Sequence, residues 1–289
     1  MEFGRGRDIA RYGILVSANN IVDYLRNQIS VFILSRTLGP ASVGLYNKGE
    51  SLARMPHRFI TTSVYQVLFR AMAAEQDDLD KCSYLFFRSI ALVAVYATPF
   101  YIGLLWLSEP LIRGIYGEKW VAAAGPLMIL SFAWPFWMLN NLSGAVSAAH
   151  NLLGTELKIQ IASVVVAVVA IVVALPYGID GVAWAMVATA AFTSLVMHRL
   201  ALKCLRARWR SSLVALVPAL ILNGILAGAL FVLEGLLPSG WIEHDLARIG
   251  ILGMAGGLVY AASLLALPIT ALETERMRWK VKLRLIKAA

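Results

Sequence analysis

From Thr37 to Thr62 the chain reads TLGPASVGLYNKGESLARMPHRFITT, a polar stretch set among long apolar runs. Written on a helix, Asn47, Glu50, Ser51, Arg54, His57, Arg58, Thr61 and Tyr65 recur at three- and four-residue steps and so share one face. Leu45, Leu52, Phe59 and Val67 fall largely elsewhere. A hydrocarbon core about 30 Å thick requires roughly 20 residues of helix. On that measure the pattern predicts spans at approximately 12–37, 42–74, 84–107, 121–149, 157–176, 180–200, 212–237 and 248–272. The first two are polar and the last six are plainly apolar. The fold class expected is an all-α, polytopic membrane bundle of about eight helices.

The two polar spans carry the chemistry. An ionised residue at the centre of a membrane helix costs roughly 2.5–3.5 kcal/mol on insertion scales, so such residues normally face a bundle interior or a water-filled cavity. Lys48, Glu50, Arg54 and Arg58 in span two predict that this helix lines a hydrated, cationic cavity, with His57 beside the two arginines. In span one Asn19, Asp23, Arg26 and Ser30 lie on one face. Asp23 and Arg26, three residues apart, can partly neutralise each other, either as a structural pair that locks the bundle or as a wall of the same cavity. Asp23 and Glu50 are the intramembrane carboxylates fit to relay a proton or bind a cation. Span two is long, roughly 50 Å at 1.5 Å per residue, and Pro56 is its expected kink. Pro135 is expected to kink span four, and Gly39-Pro40 to make the outer turn.

Composition agrees with a membrane protein. Of 289 residues 59% are hydrophobic and 15% charged, with mean hydropathy +0.71, where a soluble domain carries about a quarter charged. The net charge of +9 would suggest nucleic acid, but its distribution argues for membrane topology. With the N-terminus in the cytoplasm, 18 of the Lys and Arg residues fall inside and 4 outside, which predicts both termini cytoplasmic. The acidic loop AEQDDLDKCS reads as a solvated turn, and HRLALKCLRARWR as a boundary between residues 1–205 and two further spans in 206–272. Gly224-xxx-Gly228 and Gly253-xxx-Gly257 suggest close helix contact. The basic tail, 273–289, alternates basic and apolar residues, forms no clean amphipathic helix, and is expected only to adhere to anionic headgroups. Cys82 and Cys204 make a disulfide framework or zinc site very improbable. The chain shows no G-x-x-x-x-G-K-[ST], H-E-x-x-H, C-x-x-C or G-x-S-x-G motif. No cofactor is implied, and an enzyme has little support.

An ordered set of motifs carries a resemblance over roughly residues 3–205. It comprises Leu25-Arg26-Asn27, the run from Ile33 to Pro56 (ILSRTLGPASVGLYNKGESLARMP), Pro110 to Trp120 (PLIRGIYGEKW), Leu139 to Gly144 (LNNLSG), and Leu175 to Ala183 (LPYGIDGVA). In these the chain resembles the O-antigen and exopolysaccharide flippases of the multidrug/oligosaccharidyl-lipid/polysaccharide exporter superfamily. The resemblance implies two six-helix lobes around a central cavity, often with two extra helices, and this chain looks like the second lobe plus the extra pair. It implies export of an undecaprenyl-pyrophosphate-linked oligosaccharide across the bacterial inner membrane for cell-surface polysaccharide biosynthesis, with basic cavity residues meeting the pyrophosphate. Arg26 matches the family's arginine-asparagine pair; Lys48, Arg54, His57 and Arg58 take that role from their place on the cavity helix. A half-cavity would face lipid at a cost of several kcal/mol, so a first-lobe chain or a second copy is the expected partner, besides membrane lipid. Nucleic acid is not one. Two rival readings are a cation-coupled small-molecule exporter using Asp23 or Glu50, and a non-transporting fragment or assembly subunit.

Overall fold

The computed structural model describes residues 2–236, 245–268 and 272–282, and every regular element among them is helical. Helix α1 (Glu2–Thr37) is followed by α2 (Gly39–Pro56), a π-helical turn (His57–Thr61) and α3 (Thr62–Ala74). Then come α4 (Leu79–Trp106), α5 (Ser108–Tyr116), a 3-10 turn (Glu118–Ala123), α6 (Ala124–Ser131) and α7 (Trp134–Ala149). The remaining elements are α8 (Leu153–Ala174), a 3-10 turn (Leu175–Tyr177), α9 (Gly178–Cys204), α10 (Trp209–Leu236), α11 (Asp245–Ala266) and α12 (Glu273–Lys282). The chain is a multi-pass membrane protein. By length and composition four helical stretches can cross a membrane: α4, the α8–α9 hairpin taken together, α10 and α11. The α6–α7 pair, bent by 50°, makes a fifth. The expected count of eight is not confirmed on these grounds alone: α1 and α2–α3 are too polar to pass, and α8 and α9, expected as two spans, count here as one stretch.

The apolar spacing explains which faces are buried. Along α4, Cys82, Phe86, Ile90, Val93, Ala97 and Tyr101 are essentially inaccessible and recur at three- and four-residue steps. This stripe packs with α3, α7, the end of α9 and α10 into one core. A second core joins the back of α2 (Tyr46, Ala53) to α6, α8 and α9. On α9 the buried row Val182, Ala185, Met186, Thr189, Thr193, Met197 and Ala201 meets α7 and α8. The start of α4 is capped by Asp78, whose carboxylate accepts the Lys81 N–H at 2.9 Å. Helices α10 and α11 dock on α4 and α5, through a small core of Leu107, Leu226, Leu230 and Leu252. His198 of α9 ties α7 to the start of α10: one ring nitrogen lies 3.3 Å from Ser143 Oγ, the other 2.8 Å from Ser212 Oγ.

The two proline expectations resolve differently. The break between α6 and α7 lies just before Pro135, which occupies the first turn of α7. At Pro56 the helix does not stop; the missing N–H is absorbed by the wide turn that follows. The His57 N–H donates to the Tyr101 hydroxyl at 3.1 Å. The glycine pairs were read too broadly. A β-carbon at Gly224, Gly228, Gly253 or Gly257 would meet nothing within 4 Å, whereas one at Gly256 would press on Leu230 at 3.0 Å and Leu226 at 3.2 Å. The tail is also corrected: α12 is helical, with Glu273 and Glu275 in its first turn. It packs back on α4 through Trp279 Nε1 to the Tyr96 hydroxyl at 2.9 Å and Glu275 to Arg88 at 3.6 Å. Residues 283–289 of the tail lie outside the described residues.

A close backbone-to-backbone helix contact lies behind the candidate site. A β-carbon at Gly49 would stand 2.7 Å from Leu127 N and 2.8 Å from Ala123 O, both backbone atoms of the segment packed on α2. Gly49→Ala therefore forces α2 off this segment and is expected to cost about 1–3 kcal/mol. Gly224→Ala, in open space, is expected to be neutral. Thermal unfolding of the detergent-solubilised variants compares the two directly.

Candidate functional site

A polar cavity of about 520 Å³ opens between α1 and α2. From α1 it is lined by Asn20, Asp23, Tyr24, Asn27 and Gln28, and from α2 and the π turn by Asn47, Glu50, Ser51, Arg54, His57 and Arg58. The polar face inferred from spacing is thus the cavity wall from residue 47 to residue 58. Beyond Arg58 it is not: Thr61 is fully buried and Tyr65 packs on Phe69 beside the large core.

The charges form one network. Arg26 pairs with Asp23, three residues earlier on α1. Asn27 Nδ2 donates to the other oxygen of Asp23 at 3.1 Å, while its Oδ1 accepts from Arg54 Nη2 at 3.0 Å. Arg54 Nε in turn donates to Glu50 Oε1 at 2.7 Å. The indole of Trp137, from α7, lies under the guanidinium of Arg54, 4.6 Å from ring centroid to Cζ, a cation–π contact worth about 0.5–2 kcal/mol. Asn27 is therefore the one side chain that ties the two ion pairs, and with them α1 and α2, together.

Each expected site residue has a definite place. Arg54, His57 and Arg58 line the cavity, as do Asp23 and Glu50. Arg26 does not; with only 11% of its side chain exposed it lies behind the wall, beside Trp137, Asn140 and Thr193. Lys48 departs furthest from expectation. Its ammonium sits over the rings of Tyr116 (4.4 Å) and Trp120 (5.4 Å) at the edge of the bundle and is not among the cavity-lining residues. The lining is consequently near charge balance, with Asp23 and Glu50 against Arg54 and Arg58. Arg58 is the exception: it is exposed to the cavity and has no carboxylate partner among the described residues. The spacing argument missed Trp137 and Tyr101. Both sit on apolar helices where an aromatic reads as core, and nothing in the sequence marks them as neighbours of Arg54 and His57.

Residues 1–125, which carry most of this network, match the model of a family described as polysaccharide biosynthesis protein. Over part of its length the chain is similar to proteins of polysaccharide biosynthesis. It is 27% identical over 163 residues to the lipopolysaccharide biosynthesis protein WzxC of Escherichia coli K12, which is 56% of this chain and 33% of that protein. Similarity to the teichuronic acid biosynthesis protein TuaB of Bacillus subtilis 168 is 26% over 145 residues, or 50% and 30% of the two chains. To the succinoglycan biosynthesis transport protein ExoT of Rhizobium meliloti 1021 it is 24% over 138 residues, or 48% and 26%. The chain thus matches about a third of the length of these relatives. Its fold resembles the inward closed conformation of the lipid II flippase MurJ, with TM-score 0.60 and 16% identity over 77% of this chain and 47% of that one.

The network yields a stability test. Asp23→Asn leaves the mostly buried Arg26 without its counter-charge and is expected to cost about 1–3 kcal/mol. Adding Arg26→Gln should restore most of the loss. A double-mutant cycle on thermal midpoints in detergent measures the coupling.

Proposed function

We propose that this chain is the second lobe of a lipid-linked oligosaccharide flippase, with two added helices, serving cell-surface polysaccharide biosynthesis. Residues 1–205 form the lobe, 206–272 the additional pair and 273–289 the cytoplasmic tail. The ratio of 18 inner to 4 outer Lys and Arg residues supports both termini in the cytoplasm of a bacterial inner membrane. The substrate class is an undecaprenyl-pyrophosphate-linked oligosaccharide, whose headgroup crosses the hydrated cavity while its polyprenyl tail stays in lipid. Rocking of two lobes about the site alternates access, as in repeat-built transporters. The work is transport and needs no enzyme chemistry.

One observation carries the reading. Arg58 stands in the cavity with no carboxylate partner among the described residues, one turn from Arg54. An unbalanced guanidinium at membrane depth is a standing cost, and a phosphate-bearing headgroup relieves it with bidentate hydrogen bonds. Arg26, behind the wall, adds positive potential. The cation-coupled small-molecule exporter is less well supported, since Asp23 and Glu50 are both engaged by arginines.

The cavity is closed on two sides only, by α1 and α2. Exposed Ile21, Leu25 and Phe32 on α1 and Phe59 and Val67 beyond α2 flank it as apolar rims for a second helical lobe, either a first-lobe chain or a second copy of this one. Arg54→Ala combined with Arg58→Ala is expected to reduce export by the assembled transporter at least about tenfold, each lost charged contact being worth roughly 1.5–3 kcal/mol. Surface polysaccharide in a complemented strain is the readout, and undiminished export removes the phosphate-clamp reading. Native mass determination of the gently extracted chain should find it with a second lobe; recovery as a monomer alone removes the two-lobe reading.

A further inference from the structure

Arg54 and Arg26 are held in different ways. Asp23 is gripped at both oxygens, by Arg26 and by Asn27. Glu50 is held at Oε1 alone, by Arg54 Nε at 2.7 Å, and no donor among the described residues engages Oε2. Arg54 itself cannot follow Glu50 if that side chain turns away. Its plane is fixed by Asn27 at 3.0 Å and by the Trp137 ring beneath it. Glu50 is a flexible side chain on the cavity side of a fixed guanidinium, in the position where a second anion would bind.

We propose that Glu50 is an internal counter-anion: it occupies Arg54 while the cavity is empty, and yields that position to a phosphate oxygen. This rests on the anion-site reading above and deepens it. The exchange replaces a carboxylate oxygen by a phosphate oxygen at Arg54 Nε, with no covalent bond to the ligand formed or broken. The groups facing this exchange are Asp23 and Arg26 from α1, Tyr46, His57 and Arg58 from α2 and the π turn, and Tyr101 from α4. None of them is a second carboxylate free to take Glu50's place. Arg58, already unpartnered, makes the first contact, and Arg54 is recruited next.

The test uses the full chain in nanodiscs, titrated calorimetrically with inorganic pyrophosphate. Glu50→Gln keeps the shape of the side chain but not its charge. It is expected to bind pyrophosphate about tenfold more tightly than the parent at about pH 8. Asp23→Asn should give no such gain. Equal affinity of Glu50→Gln and parent overturns the proposal while leaving the anion site standing, provided Arg54→Ala and Arg58→Ala still weaken binding. If those two variants bind as the parent does, the anion site and this proposal fall together.

Discussion

A charge in a bilayer must be paired or hydrated, and the α1–α2 half of this protein is arranged to meet that demand. Glu50, Arg54, Asn27, Asp23 and Arg26 form a continuous chain of polar contacts across two helices, in front of the apolar core that Leu34 of α1 shares with Tyr46 and Ala53 of α2. Asn27 is the only member that contacts both pairs, so the α1–α2 junction depends on an amide able to donate on one side and accept on the other. Remove that bridge and two polar helices would each need a different way to stay in the membrane.

The rest of the bundle supplies what the polar pair cannot. The back of α2 is as well packed as any core helix: Tyr46, Gly49 and Ala53 are buried against α6 and its neighbours. The same helix therefore presents one face to a dry core and the other to a wet cavity, with Gly49 permitting the close approach. The indole of Trp137 and the hydroxyl of Tyr101 reach the site from α7 and α4, so that rigid apolar helices position the polar groups of a more exposed pair. Elsewhere, α10 and α11 attach to α4 and α5 by ordinary apolar contact and by Trp106 Nε1 donating to Glu234 at 2.7 Å, while an ion pair between Glu234 and Arg248 joins α10 to α11.

Much of this was legible in the residue pattern. Spacing alone put Asn47, Glu50, Ser51, Arg54, His57 and Arg58 on one face, because helical periodicity is a local property. The bend near Pro135 was readable because a proline's effect on its helix is also local. What spacing could not supply is phase between helices. Lys48 has the charge and the neighbourhood of a cavity residue, yet one step around the helix carries it to Tyr116 and Trp120, residues nearly 70 positions away in the chain. Arg26 likewise matches a motif but points behind the wall. The glycine pairs failed because a small residue permits a close contact without requiring one; Gly256, outside the motif, is the glycine that leucines press upon.

The π turn at His57–Thr61 has a consequence for the shape of the site. A wide turn holds one more residue than an α-helical one, and each residue advances a helix by about 100°. Past this point the polar stripe no longer faces the opening. Thr61 turns into the core, while Phe59 and Val67 swing outward. The polar lining thus ends at Arg58 without any side chain being spent to stop it: its length is recorded as helical phase, in a single supernumerary residue.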